Sequence, residues 1–133
     1  MVTRRAAIGA LAGVFTDAGG VHAADHRPFI AAAFEMKDRA ARAGDQPYGA
    51  VVVRNGEIIG WGPSRVREHG EWIGHAEREA MRDAQSRLMR TDLSDCVMYS
   101  TSRPCSACER EAAKAKLARM YYGADATDAG APR

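Results

Sequence analysis

Two short clusters, His75-Ala76-Glu77 and Pro104-Cys105-Ser106-Ala107-Cys108, constrain this chain more than any other feature. An imidazole and two thiols some thirty residues apart act as a set only if the fold brings both segments to one point. Cysteines three apart at a helix amino terminus turn their sulfurs the same way. The positive end of the helix dipole and its free N–H groups favour thiolate there. His75 opens a second helical pattern, so the sequence asks for two helix starts converging at a sheet edge. One imidazole and two thiolates leave a fourth position for water, the ligand set of catalytic zinc rather than of a four-ligand structural site. Glu77, in the first turn after His75, can approach a water activated there without being a ligand, and is the candidate proton carrier.

The rest of the chain provides the elements. Pro28 suits a first helical turn, and Phe29, Ile30, Ala33, Phe34, Met36 and Ala40 recur at helical spacing until Gly44. Tyr48 to Val53 and Glu57 to Trp61 read as strands joined at Asn55-Gly56, a type I′ hairpin signal. A polar loop is expected over Gly62 to Gly74. The next helix begins near His75, with Ala76, Ala80, Met81, Ala84 and Leu88 on one side. Cys96 to Thr101 reads as a strand, Cys105 to Leu117 as a helix and Arg119 to Gly123 as a short strand. That order implies a right-handed crossover and a parallel pair. Ala124 to Arg133 reads as a frayed tail. The expected fold is α/β: a three-layer α-β-α domain whose mixed sheet has a first antiparallel hairpin, a terminal parallel βαβ unit and a short C-terminus.

Charge and cysteine content narrow the function classes. At 133 residues the chain is one domain. A net charge of +2, with acids and bases interspersed as in Glu109-Arg110-Glu111, lacks the basic stripe of a nucleic-acid binder. Nucleic acid is therefore not expected as a partner. Three cysteines argue against a disulfide framework, and Cys96, within an apolar run, reads as a small buried hydrophobe. Arg4-Arg5, the apolar run Ala6 to Phe15 and the small residues ending at Ala23 follow the order of a signal peptide with a twin-arginine motif. Residues 1–23 are expected to be a leader and 24–133 the functional domain, periplasmic or secreted, or cytoplasmic without cleavage. The run is too short to span a bilayer, and no membrane partner is expected.

The two clusters form the H-x-E…P-C-x-x-C signature of zinc-dependent base deaminases. From Phe29 to Gly123 the chain resembles the cytidine and deoxycytidylate deaminase superfamily, in particular the branch of guanine deaminases, bacterial cytosine deaminases and tRNA adenosine deaminases. Gln46 to Val53, Asn55 to Gly60, Leu93 to Tyr99 and Met120 to Gly123 carry that resemblance beyond the motifs. It implies a Zn2+ cofactor held by His75, Cys105 and Cys108, with Glu77 as proton shuttle. It also implies main-chain contact with the substrate ring at Ala76, and a homodimer or higher homo-oligomer. Ser64 and Tyr48 are further candidate substrate contacts. Ser64 stands where the branch often has an asparagine, and Arg103 stands where an acidic residue is common. The implied function is hydrolytic removal of an exocyclic amine, as ammonia, from a free nucleobase, nucleoside or similar amino-heterocycle, of guanine or cytosine type. A tRNA adenosine deaminase is the alternative within the family. An exported C-x-x-C thiol–disulfide oxidoreductase is the alternative from another class.

Overall fold

The structure, a computed structural model, describes residues 25–133. The leader read over residues 1–23 lies outside them. The elements are α1 (Arg27–Arg42), β1 (Gly49–Arg54), β2 (Glu57–Pro63), α2 (Val66–His69), α3 (Ala76–Leu88), β3 (Cys96–Ser100), α4 (Ser106–Lys114), β4 (Arg119–Tyr122) and β5 (Thr127–Gly130). They form a five-stranded sheet in the order β2-β1-β3-β4-β5. Only β3 and β4 pair in parallel, and every other neighbouring pair is antiparallel. The expected mixed sheet, hairpin and terminal parallel unit are therefore present. Asn55 and Gly56 both sit at positive φ, as a type I′ turn requires.

Period-two alternation explains why β1 is apolar from Ala50 to Val53. Val51 and Val53 face Ile30, Ala33 and Met36 of α1, while Ala50 and Val52 face Ala76, Ala80 and Ala84 of α3. Both faces are covered over Ala50–Val53, so the strand takes a polar side chain only at its end, where the partly exposed Arg54 pairs with Asp95 at 2.7 Å. Each fully buried valine or methionine contributes about 1.5–3 kcal/mol relative to exposure, which makes this three-layer sandwich the main source of stability. Cys96 is completely buried in the α3 side of the core, as its apolar surroundings suggested.

Two segments differ from their expected form. The tail is not frayed: Thr127–Gly130 pairs antiparallel with β4. Positive φ at Gly123 and Ala126 makes the return, and Arg119 pairs with Asp128 at 2.6 Å across the two strands. The strand lacks β-branched residues after Thr127, so no local propensity announces it. The segment after Gly62 is also more ordered than a loop. β2 runs to Pro63, which an edge strand tolerates, and α2 makes one helical turn. Asp45 caps that turn from a distance, accepting the N–H groups of Val66 and Arg67 at 3.0 Å each. A cap twenty residues upstream leaves no local signature. No helix among the described residues is long and apolar enough to cross a membrane.

Glycines on β2 set how closely α3 approaches the sheet. A Cβ at Gly62 would lie 2.2 Å from the Ala76 carbonyl oxygen, and one at Gly60 would lie 2.4 Å from that of Ala80. Because the obstructing atoms are backbone, α3 itself would have to move. Gly62→Ala is expected to cost about 1–3 kcal/mol, the range for overpacking, and to weaken metal retention by displacing His75. Denaturant unfolding and metal content of the purified variant check both effects.

Candidate active site

The carboxyl ends of β2 and β3 lie at the same edge of the sheet, because each is antiparallel to β1 between them. The chain leaves β2, makes α2 and enters α3; it leaves β3 and enters α4 directly. His75 is the N-cap of α3 and Cys105 the N-cap of α4, both in extended backbone conformation. The two helix starts thus meet at the carboxyl ends of the strands, where open α/β sheets commonly bind ligands.

His75 Nδ1 lies 3.6 Å from Cys105 Sγ and 3.4 Å from Cys108 Sγ. All three ligand atoms are within 4.8 Å of one another. Zn–S and Zn–N bonds of about 2.3 and 2.0–2.1 Å at a tetrahedral angle place sulfur and nitrogen roughly 3.6 Å apart. The donor set therefore fits zinc. The other ring nitrogen of His75, Nε2, donates to Glu71 Oε2 at 3.2 Å. A carboxylate there fixes the tautomer that leaves Nδ1 free as a ligand. Sequence reasoning missed Glu71, because the turns over Gly70–Gly74 give no helical spacing that would relate it to His75.

The electrostatics suit a metal that must displace protons. Burial opposes a charge on His75, but hydrogen bonds to Glu71 and Cys105 outweigh it and raise its pKa above the ordinary 6.5. Burial also works against a thiolate at Cys105, yet the Cys108 N–H, donating to its sulfur at 3.4 Å, helps bring its pKa below the usual thiol value. Cys108 is pushed far upward by burial and by the charge of Glu77. Metal uptake must therefore expel a proton from Cys108 and keep one off His75 Nδ1.

Glu77 is 6% exposed, and among the described residues no side chain hydrogen-bonds to it. Burial raises its pKa, partly opposed by its own N–H and by His75. It lines a cleft of about 600 Å³ together with His75, Ala76, Cys105, Tyr48 and Ser64. The structure therefore brings His75, Ala76, Glu77, Cys105, Tyr48 and Ser64 to one cleft, while Cys108 is fully buried and within 3.4 Å of the His75 imidazole. Ser64 is held in the scaffold: its N–H donates to the Tyr48 carbonyl at 3.1 Å, and its hydroxyl lies 3.2 Å from Asp45 Oδ1 and 3.4 Å from the Gly74 carbonyl. Tyr48 is exposed at the rim, and Ala76 is buried against β2.

Residues 23–124 match the cytidine and deoxycytidylate deaminase zinc-binding region. The chain belongs to this family. This deaminase-family chain is 33% identical over 106 residues to guanine deaminase of Bacillus subtilis, covering 79% of the chain and 68% of the relative. It is 36% identical over 126 residues to tRNA(Ile)-lysidine synthase of Deinococcus radiodurans, covering 94% of the chain but only 21% of that relative's length. It is 31% identical over 96 residues to tRNA-specific adenosine deaminase of Aquifex aeolicus, covering 72% of the chain and 64% of the relative. The solved B. subtilis guanine deaminase superposes with a TM-score of 0.71 at 31% identity, over 76% of this chain and 65% of that one. A tRNA:A34 deaminase structure gives the same score at 30% identity, over 74% and 76%. Members of the family are zinc-dependent hydrolytic deaminases, and the fold is theirs.

One chelator-competition series tests the metal centre. The wild-type protein is expected to hold one zinc per chain, and Cys105→Ser to hold none. Glu71→Ala should keep the site but weaken affinity about 10–100-fold, as loss of a carboxylate behind a histidine ligand does. Protons compete for Nδ1, so zinc retention should fall as pH drops through the raised pKa of His75, beginning above 6.5. Retention unchanged down to acidic pH would contradict the assignment.

Proposed function

We propose that this chain is a zinc-dependent hydrolytic deaminase acting on a free nucleobase, nucleoside or similar amino-heterocycle, of guanine or cytosine type. The observation that carries the reading is a buried Glu77 carboxylate, without a side-chain hydrogen bond among the described residues, on the same cleft as His75 and Cys105 of the metal set. Zinc in that set supplies a Lewis acid that makes water nucleophilic near neutral pH. Glu77 would accept the first proton that the water loses as it attacks the amine-bearing carbon and deliver it to the ring nitrogen; it would then take the second proton from the new hydroxyl as the carbonyl forms and pass it to the amino group, which leaves as ammonia. Burial, by raising the Glu77 pKa, suits a carboxyl that must both take and return a proton. The main chain at Ala76, the rim at Tyr48 and the wall at Ser64 are the proposed ring contacts. A thiol–disulfide exchange reading accounts for neither the imidazole 3.4–3.6 Å from both sulfurs nor the buried carboxylate.

A second reading, tRNA adenosine deamination, is favoured by the equal structural likeness to the tRNA-acting relative. The hydrolytic chemistry is the same in both, and the readings differ in the ring the cleft holds and in what lies outside it. Ammonia release measured over cytosine, cytidine, guanine, adenine, adenosine and tRNA separates them: release from tRNA alone would overturn the free-base reading.

Assembly and export are proposed with it. Trp72, 62% exposed, and Ile73 stand on the segment beside the cleft, where a second copy would complete its wall. A fully active monomer in light scattering would contradict that. Residues 1–23 are proposed as a twin-arginine leader, against the observation that the alignment with the lysidine synthase reaches into that segment. Amino-terminal sequencing of protein from its host decides, with Ala24 as the expected first residue.

Glu77→Gln keeps size and removes the proton carrier. Zinc content should remain at one per chain, since Glu77 is not a ligand. Turnover of any accepted substrate should fall at least 10²–10⁴-fold, the usual cost of losing a general acid–base group. A mere helix-dipole partner would cost at most about 1 kcal/mol of stability and leave kcat intact.

A further inference from the structure

Arg103 reverses the charge that the family resemblance leads one to expect just before the Pro-Cys pair. It lines the same cleft as Glu71, His75 and Glu77. Its guanidinium is oriented by a neutral partner, Tyr122: Nη1 donates to the phenol oxygen at 3.2 Å, and the guanidinium carbon lies 5.5 Å from the ring centroid. Among the described residues no carboxylate pairs with Arg103, whereas Arg54, Arg82, Arg87, Arg90 and Arg119 each have one within 3.1 Å.

The backbone beneath Arg103 is firmly held. The Thr101 N–H donates to the Gly49 carbonyl at 2.9 Å, and the Gly49 N–H donates to Thr101 Oγ1 at 3.1 Å. The Ser100 hydroxyl donates to the Ser102 carbonyl at 2.9 Å. A guanidinium has five N–H donors, so the contact with Tyr122 leaves most of its fork uncommitted. The cleft is thus divided by charge, with Glu71 and Glu77 as its acidic residues and Arg103 as its cation. Arg103 is exposed, so its fork is open to a ligand in the cleft, and an uncharged base makes no ion pair with it. A carboxylate or phosphomonoester, by contrast, matches the forked donors with two charge-assisted hydrogen bonds.

We propose that Arg103 determines specificity at this site by selecting amino-heterocycles that carry a small anionic substituent. The inference rests on the deaminase reading for the reaction, but the contact is one of binding and is measurable without turnover. Calorimetry on zinc-loaded Glu77→Gln protein would compare cytosine with 5-carboxycytosine, pterin with pterin-6-carboxylate, cytidine with cytidine 5′-monophosphate, and guanosine with guanosine 5′-monophosphate. The charged member of at least one pair should bind about 10–100-fold more tightly, the range of one charge-assisted contact. Which pair responds tells a carboxylate from a phosphate. Adding Arg103→Glu should reverse the preference, and Arg103→Lys should keep part of it, because charge remains while the fork is lost. Equal affinity within every pair, or a preference that survives Arg103→Glu, overturns the proposal. Ammonia release by the Glu77-intact enzyme on the same compounds tests the reaction separately. A charge preference in binding with no ammonia from these compounds or from guanine, adenine, adenosine and tRNA would remove the deaminase reading and leave the contact standing.

Discussion

The close approach of α3 to β2 is the contact on which the rest of the site depends. At Gly62 the helix backbone comes so near that any side chain there would strike the Ala76 carbonyl oxygen. Ala76 directly follows His75, so the packing of one helix turn on one strand fixes where the imidazole stands. The same approach carries Glu77 down to a buried position on the cleft, where burial raises the cost of its charge. On the neighbouring strand, β3 ends at Ser100 and the chain reaches Cys105 within a few residues, closing the distance from the other side. A metal bound between these helix starts would tie them together, and its binding energy would count toward the stability of this edge. Without it, the edge relies on the alanine-rich packing of α3 and α4 against the sheet.

Two kinds of carboxylate at this edge show how burial assigns roles. Glu71 is exposed and hydrogen-bonded to His75 and Gln46, where it orients an imidazole. Glu77 is desolvated, with no side-chain partner among the described residues, which raises the cost of its charge. A group poised in this way is expensive for a fold to keep unless it does chemistry. Cys108 shows the same logic with a thiol: burial and the nearby Glu77 disfavour its thiolate, a cost that a cation would remove.

The sequence was most legible where local chemistry and tertiary packing agree. The hairpin at Asn55-Gly56, the doubly covered strand over Val51–Val53 and the helix starts at His75 and Cys105 each follow from residues within a few positions of one another. Ligand spacing placed the metal set directly, and Glu77 lines the same cleft. The misses share one cause, control from a distance. Asp45 organises α2 from twenty residues away, and Thr127–Gly130 becomes a strand because β4 has a free edge and Asp128 meets Arg119. Neither partner advertises the other locally.

That same action at a distance bears on substrate choice. Ser64 looks from the sequence like a substitute for an amide that would touch the ring, yet its hydroxyl is turned toward Asp45 and the Gly74 carbonyl. A hydroxyl has a single proton to donate. While that proton is spent on the scaffold, Ser64 can offer the cleft only an acceptor, whereas an amide offers donor and acceptor together. The donor that the wall loses at Ser64 reappears on the Ser102–Arg103 segment as a guanidinium with uncommitted N–H groups. The two departures from the family pattern thus lie on one cleft, where Ser64 spends its proton on the scaffold and Arg103 keeps N–H donors uncommitted.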